Sequence, residues 1–439
     1  MKKNDLEDTE ENLLSTMERD TIGRNSELVD FLFFLDNIDG NYSIALDGEW
    51  GSGKTFLVKQ LKMLLEYFRK EQMDGKLYDE TQEKVKEIVE KHFVDLNLEK
   101  TNVSIYYDAW LYDDHPDALL SLIYSFLGEG DKKENLKALL TDYHLGDKVR
   151  NVIKMIISHK TGIDFDLDGL LDTSSIMDTI YSLEEVKEVF RVLVSRSIEE
   201  KADRLVVFID ELDRCKPDFA IDVLEKLKHF VDDDRVVFLY SLNKEQLSHT
   251  IEKFYGYNFN ATIYLNRFFD FNFSLKKINP NAYITLLNSQ VEVEECISKI
   301  YVEIGAYFKF SLREYNTYYH KIIMLRERTQ EDFHEYYTIK MIFASIVWGL
   351  EITNVVQMKK FVSGKSADIL EAVYNSVNEI RELAQTLFDC YKENADTLAE
   401  LTNVYTYIFG MEKGKIKPDN IPLDEDTVNA IYEFIVKPI

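Results

Sequence analysis

The residues of this 439-residue chain best suited to chemistry stand together at Gly48-Glu49-Trp50-Gly51-Ser52-Gly53-Lys54-Thr55. The pattern is G-x-x-x-x-G-K-[ST], and each residue type in it has a physical reason. Glycines let backbone N–H groups curl around an oxyanion, and a helix starting at once points its positive end at the same charge. Lys54 would bridge the β- and γ-phosphates of a nucleotide, and the Thr55 hydroxyl would bind Mg²⁺. Phe56, next in the chain, closes this candidate nucleotide-binding set.

A second constellation ends the apolar run Leu205-Val206-Val207-Phe208-Ile209 in two acids, Asp210 and Glu211. Asp210 would hold the metal through water, and Glu211 would polarise the attacking water. A carboxylate at that second position supplies a general base, so the pair implies hydrolysis of ATP rather than phosphoryl transfer to a small molecule. Three further candidates are less constrained. Asn243 follows the strand-like run at 235–242, where a γ-phosphate sensor belongs, and an Asn ending a strand is also an ordinary turn residue. Arg267 precedes another strand-like run and could reach a neighbouring subunit's phosphate, or be a plain surface arginine. Arg313 opens a helical segment and could close onto the γ-phosphate, or sit solvated at a helix end.

These residues need elements to hold them. Short apolar runs at 42–48, 102–110, 204–210, 235–242 and 268–275 alternate with helical patterns, which predicts a parallel sheet covered by helices. Segment 70–100 is charged and predicts a solvated surface excursion, and 128–199 predicts a mainly helical insertion. The core is expected over 1–275. After residue 276 no strand pattern convinces, so 276–439 predicts a helical lid and C-terminal helical domain. Its aromatic stripes (AYFKF, YNTYYH) predict core rather than a cofactor box.

Composition narrows the function classes. Lys+Arg number 52 against 79 Asp+Glu, a net charge of −27, which argues against a surface that clings throughout to nucleic acid or anionic lipid. A local basic patch is still allowed, which leaves nucleic acid open as a partner. The longest apolar stretches, 31–35 and 341–350, are too short to span a bilayer. Three scattered cysteines offer neither a disulfide framework nor a zinc site, and fit a cytoplasmic protein.

GEWGSGKT, then YYDAWLYDDHPDAL, VVFIDELDRCKP and YLNRFF, together resemble the KAP family of P-loop NTPases across about residues 18–330. The resemblance implies an additional-strand NTPase core and ATP with Mg²⁺. It places Gly48 to Thr55 on phosphate and Asp210 and Glu211 on metal and water, with Asp20 to Arg24 (DTIGR) near the adenine. Asp213 and Arg214 are expected to organise the site, and Trp110 to pack in the core. Many members of the family carry transmembrane helices between the two acidic and glycine-rich motifs. Here the intervening segment is polar, so no membrane attachment transfers. The family's soluble bacterial members imply a setting in anti-phage defence. Two readings of the whole follow. One is an ATPase switch, homo-oligomeric if Arg267 acts in trans. The other is a nucleotide-bound scaffold that does not hydrolyse, whose C-terminal helices hold a partner protein.

Overall fold

The computed structural model describes residues 7–72, 80–94, 96–115, 117–128, 183–199, 202–230, 233–276, 283–284, 295–329, 334–389, 396–410, 421 and 423–436. The chain divides into two compact units, Glu7–Lys277 and Ile278–Ile439. Of the expected insertion at 128–199, residues 129–182 lie outside the described residues.

The first unit is built on five strands: β1 (Tyr42–Asp47), β2 (Asn102–Asp108), β3 (Arg204–Asp210), β4 (Val236–Leu242) and β5 (Phe271–Ser274). All their pairings are parallel, in the order β2-β3-β4-β1-β5. β4 therefore lies between the strand that ends in the glycine-rich loop and the strand that ends in Asp210. This is the α/β additional-strand arrangement expected of a P-loop NTPase. Every residue of β3 and β4 is buried, as continuous apolar runs in a doubly covered parallel sheet must be. β5 alternates half-buried and exposed positions, as an edge strand does. It starts three residues later than the apolar run at 268–275 suggests, because its pairing with β1 begins at Ile44↔Phe271.

Helices cover both faces of the sheet. Ile44, Leu46, Val206, Phe208, Val237 and Leu239 face one core, shared with α1 (Glu10–Arg19), α2 (Asn25–Asn37), α3 (Lys54–Gln72) and α4 (Glu80–His92). Ala45, Ile105, Val207, Ile209, Phe238 and Tyr240 face the other, with α5 (Ala118–Gly128), α6 (Leu183–Ile198), α7 (Pro217–Phe230), α8 (Lys244–Tyr255) and α9 (Ala261–Leu265). Neighbouring residues on one strand point to opposite cores, the period-two rule at work. α4 corrects one expectation. The charged stretch at 70–100 is not merely a solvated excursion, because Val85, Ile88 and Val89 form an apolar stripe at helical spacing buried in the first core.

The second unit is helical: α10 (Glu295–Phe308), α11 (Leu312–Thr329), α12 (His334–Thr353), α13 (Val355–Val362), α14 (Ala367–Ser376), α15 (Asn378–Asp389), α16 (Thr397–Phe409) and α17 (Glu425–Val436). The apolar stretch at 341–350 is buried all round within α12, which makes it the centre of this unit. Many of its aromatics are core, and two buried hydroxyls donate to carbonyls: Tyr318 to Ser345 O (3.1 Å) and Tyr405 to Phe361 O (2.8 Å). Among the described residues no helix is long and apolar enough to cross a membrane.

Candidate nucleotide site

Asp47 ends β1 and is the hub from which the glycine-rich loop departs. Its carboxylate accepts from Lys244 N at the start of α8 (2.9 Å), and its carbonyl accepts from Leu275 N just past β5 (2.9 Å). Gly48 N donates to Leu242 O at the end of β4 (3.2 Å), so three strand ends are stitched together under the loop. Gly51 and Gly53 have φ of +76° and +87°, the left-handed region that glycine enters without steric cost. The turn they make brings Ser52 back so closely that a Cβ on Gly48 would lie 2.8 Å from Ser52 Oγ. This is why Gly48 carries no side chain. Glu49 and Trp50 ride the exposed outer side of the loop, while Phe56 is buried.

Lys54 begins α3 and is only 9% exposed. Its Nζ donates to the Gly48 carbonyl (2.6 Å) and the Glu49 carbonyl (3.1 Å). Burial pulls its pKa below the ordinary lysine value, and the charges of Asp213, Asp210, Glu211 and Asp47 oppose that pull. Those four carboxylates come from two stretches of chain, Asp47 at the end of β1 and Asp210 to Asp213 at and after the end of β3, and their charge acts on one ammonium group. Thr55 follows it in the first turn of α3.

Asp210 is 1% exposed at the end of β3. Both carboxylate oxygens are held: Oδ1 accepts from Glu211 N (2.9 Å) and Oδ2 from the Tyr106 hydroxyl of β2 (3.0 Å). Glu211 takes the left-handed conformation at φ 60°, uncommon for a residue with a side chain and concentrated at functional sites. Burial pushes its carboxyl up to about 7, with Asp210 adding to the rise and Arg214 opposing it. Arg214 pairs with the Glu211 carboxylate and lies over the Trp110 ring, 5.3 Å from its centroid. Trp110 is 51% exposed, so it does not pack in the core as the sequence suggested. Trp50 Nε1 donates to Asp213 Oδ2 (2.5 Å), which ties the glycine-rich loop to the turn after β3.

The other expected residues fall in different places. Arg24 is 3% exposed; its Nη2 donates to the Ser52 carbonyl (2.9 Å) and its Nη1 pairs with Glu27. It braces the loop from behind. Asp20 is left-handed at φ 48° and accepts from Asn25 N (3.0 Å), closing the turn between α1 and α2. Asn243 caps α8 through Oδ1, which accepts from Gln246 N (3.1 Å). Arg267 is exposed between α9 and β5, with no ion-pair partner among the described residues. Arg313 is exposed in the first turn of α11, in the second unit. No local pattern marks Asp47, Tyr106 or Glu27 for these roles; their partners are met only through sheet register and the folding back of α2.

A magnesium nucleotide fits what is present. Buried Ser52 Oγ, Arg24 Nε and Thr21 Oγ1 around the loop, and Ser241 Oγ beside Asp210 in register, have no partner among the described residues. Orphaned buried polar atoms of this kind call for a ligand or ordered water. No group of three metal-ligating side chains occurs among the described residues, and Mg²⁺ held by one hydroxyl, one carboxylate and substrate phosphate needs none. Residues 35–387 match the family model for the KAP family P-loop domain.

The chain belongs to the KAP family of P-loop NTPases. No curated protein matches it. Family membership carries nucleotide binding and nucleoside triphosphatase activity in general, with nucleotide and Mg²⁺ as the usual requirement. The loop at Gly48–Thr55 and the acids ending β3 both lie within the matched residues, with β4 between β1 and β3.

Proposed function

We propose that this chain is an Mg²⁺-dependent ATP hydrolase that works as a conformational switch. The observation that carries the reading is the strand order, which sets β4 between the strand leading into the glycine-rich loop and the strand ending in buried Asp210, with the charges of Asp210 and Glu211 acting on buried Lys54. The backbone N–H groups of Gly51 to Thr55 and the Lys54 ammonium bind phosphate, while Thr55 and Asp210 hold the metal. Bound Mg²⁺ neutralises charge building on the phosphate oxygens. Glu211 accepts the proton of the attacking water, and Lys54 stays on the phosphates. Asn243 uses its carboxamide oxygen to cap α8, which leaves its N–H₂ as a donor toward the γ-phosphate. The turn at Asp20–Arg24, with unpartnered Thr21 Oγ1 and Arg24 Nε, is the candidate for the nucleoside end. Arg267, exposed, is the residue through which a second copy would act in trans, and Arg313 is the candidate contact from the helical unit.

A second reading has an observation of its own. The Glu211 carboxylate is engaged by Arg214, which holds the base in an ion pair and suits slow turnover or a nucleotide-bound scaffold whose C-terminal helices hold a partner. Phosphate release separates the two. Glu211→Gln, which keeps shape and loses the base, is expected to cut release about 100- to 10,000-fold while nucleotide still binds. Equal release by both proteins ends the hydrolase reading.

A further inference from the structure

The residues that brace the glycine-rich loop also reach the point where the chain leaves the first unit. Arg24 donates to the Ser52 carbonyl inside the loop (2.9 Å) and pairs with Glu27 one turn along α2. The second oxygen of Glu27 accepts from Lys276 N (2.9 Å). Lys276 stands two positions before the helical unit begins at Ile278. Its neighbour Leu275 donates to the Asp47 carbonyl, and its side chain lies 3.5 Å from where a Gly48 Cβ would be. Both guanidinium and carboxylate are buried, at 3% and 9% exposure.

We propose that Arg24 and Glu27 are positioning residues that couple the phosphate loop to Lys276, so that nucleotide on the loop tightens the segment from which the helical unit departs. The inference rests on the nucleotide reading above. The physical argument is one of paired constraints. A buried ion pair is weak as net stabilisation, but removing either partner leaves an uncompensated charge, so the two side chains move together or not at all. Arg24 has a planar fork with separate donors for Ser52 and Glu27, which fixes direction as well as distance. Glu27 accepts one donor on each oxygen. A shift of the Ser52 carbonyl as the loop closes on phosphate is therefore passed through Arg24 and Glu27 to the Lys276 amide.

Hydrogen exchange of the peptide spanning 271–277 reads the Lys276 bond directly, with and without ADP and Mg²⁺. In the wild-type chain, nucleotide is expected to slow exchange there about tenfold. Glu27→Gln has one acceptor oxygen where the carboxylate has two, so it cannot serve Arg24 and Lys276 together. Arg24→Lys keeps the charge and loses the fork. Glu27→Gln is expected to bind a fluorescent ADP within about tenfold of wild type, and both variants, compared at ADP concentrations that saturate each, are expected to lose the nucleotide-dependent slowing. If one variant does not fold, the other carries the test. Slowing that persists in a folded variant overturns the coupling, as does a wild-type chain that binds ADP without slowing exchange. A wild-type chain that binds no nucleotide overturns the nucleotide reading itself, and this inference with it.

Discussion

Tyr106→Phe isolates a single hydrogen bond at the metal carboxylate. The phenol donates to Asp210 Oδ2 at 3.0 Å, while Asp210 Oδ1 keeps its bond from Glu211 N at 2.9 Å. The substitution retains the ring, so packing beneath α3 is preserved and only the donor is lost. A hydrogen bond to an ionised acceptor is worth about 1.5–3 kcal/mol. At about 1.4 kcal/mol per decade, that is roughly 10- to 150-fold in an equilibrium constant. Part of the loss falls on the fold of the free protein, because Asp210 is 1% exposed and cannot turn to bulk water for a replacement. The remainder falls on Mg²⁺, since a ligating carboxylate freed of its outer partner typically loses about 10- to 100-fold in metal affinity. The assay is the Mg²⁺ concentration at half-maximal phosphate release, together with fluorescent ADP binding in Mg²⁺ and in EDTA. The Mg²⁺ midpoint should rise at least about tenfold, with affinity in EDTA unchanged. A folded variant whose midpoint matches wild type refutes the assignment of Asp210 to the metal.

The pH profile and the helical unit each carry a further expected outcome. Glu211 is held near 7 in the free protein and must be deprotonated to act as a base, so kcat/KM should climb as pH rises through about 7 and fall below it; a profile flat between about pH 5.5 and 8.5 contradicts the role. In the helical unit, Gly364 sits at φ +70° with a would-be Cβ 2.5 Å from the Phe409 carbonyl oxygen, so Gly364→Ala should cost more than about 1 kcal/mol in thermal unfolding.

What could be read in the sequence was what chemistry or burial dictates residue by residue. Glycines at fixed offsets from Lys54, and an apolar run ending in Asp210 and Glu211, are local patterns, so both halves of the candidate site are legible in the sequence alone. Strands β3 and β4 were equally plain, because a strand buried on both faces has no polar positions to blur it. Contacts made across the sheet were not. Tyr106 meets Asp210 only because β2 pairs with β3 in the register Tyr106↔Phe208, and no local pattern encodes that. Arg24 is expected near an adenine by resemblance alone, and no local pattern encodes the meeting of its Nη2 with the Ser52 carbonyl and its Nη1 with Glu27. Trp110 looked like core from its apolar ring, yet Arg214 stacks over it at the surface. The stripe of Val85, Ile88 and Val89 in α4 was there to be counted, but the lysines and glutamates around it hid its spacing.

Titration calorimetry of the full chain with an ATP analogue that resists hydrolysis, in millimolar Mg²⁺, tests the central claim most directly. One site per chain is expected, with Lys54→Ala weakening it about 100-fold or more, as loss of charge-assisted bonds to two phosphates requires. No heat of binding from the folded wild-type chain, or equal binding by Lys54→Ala, would contradict it.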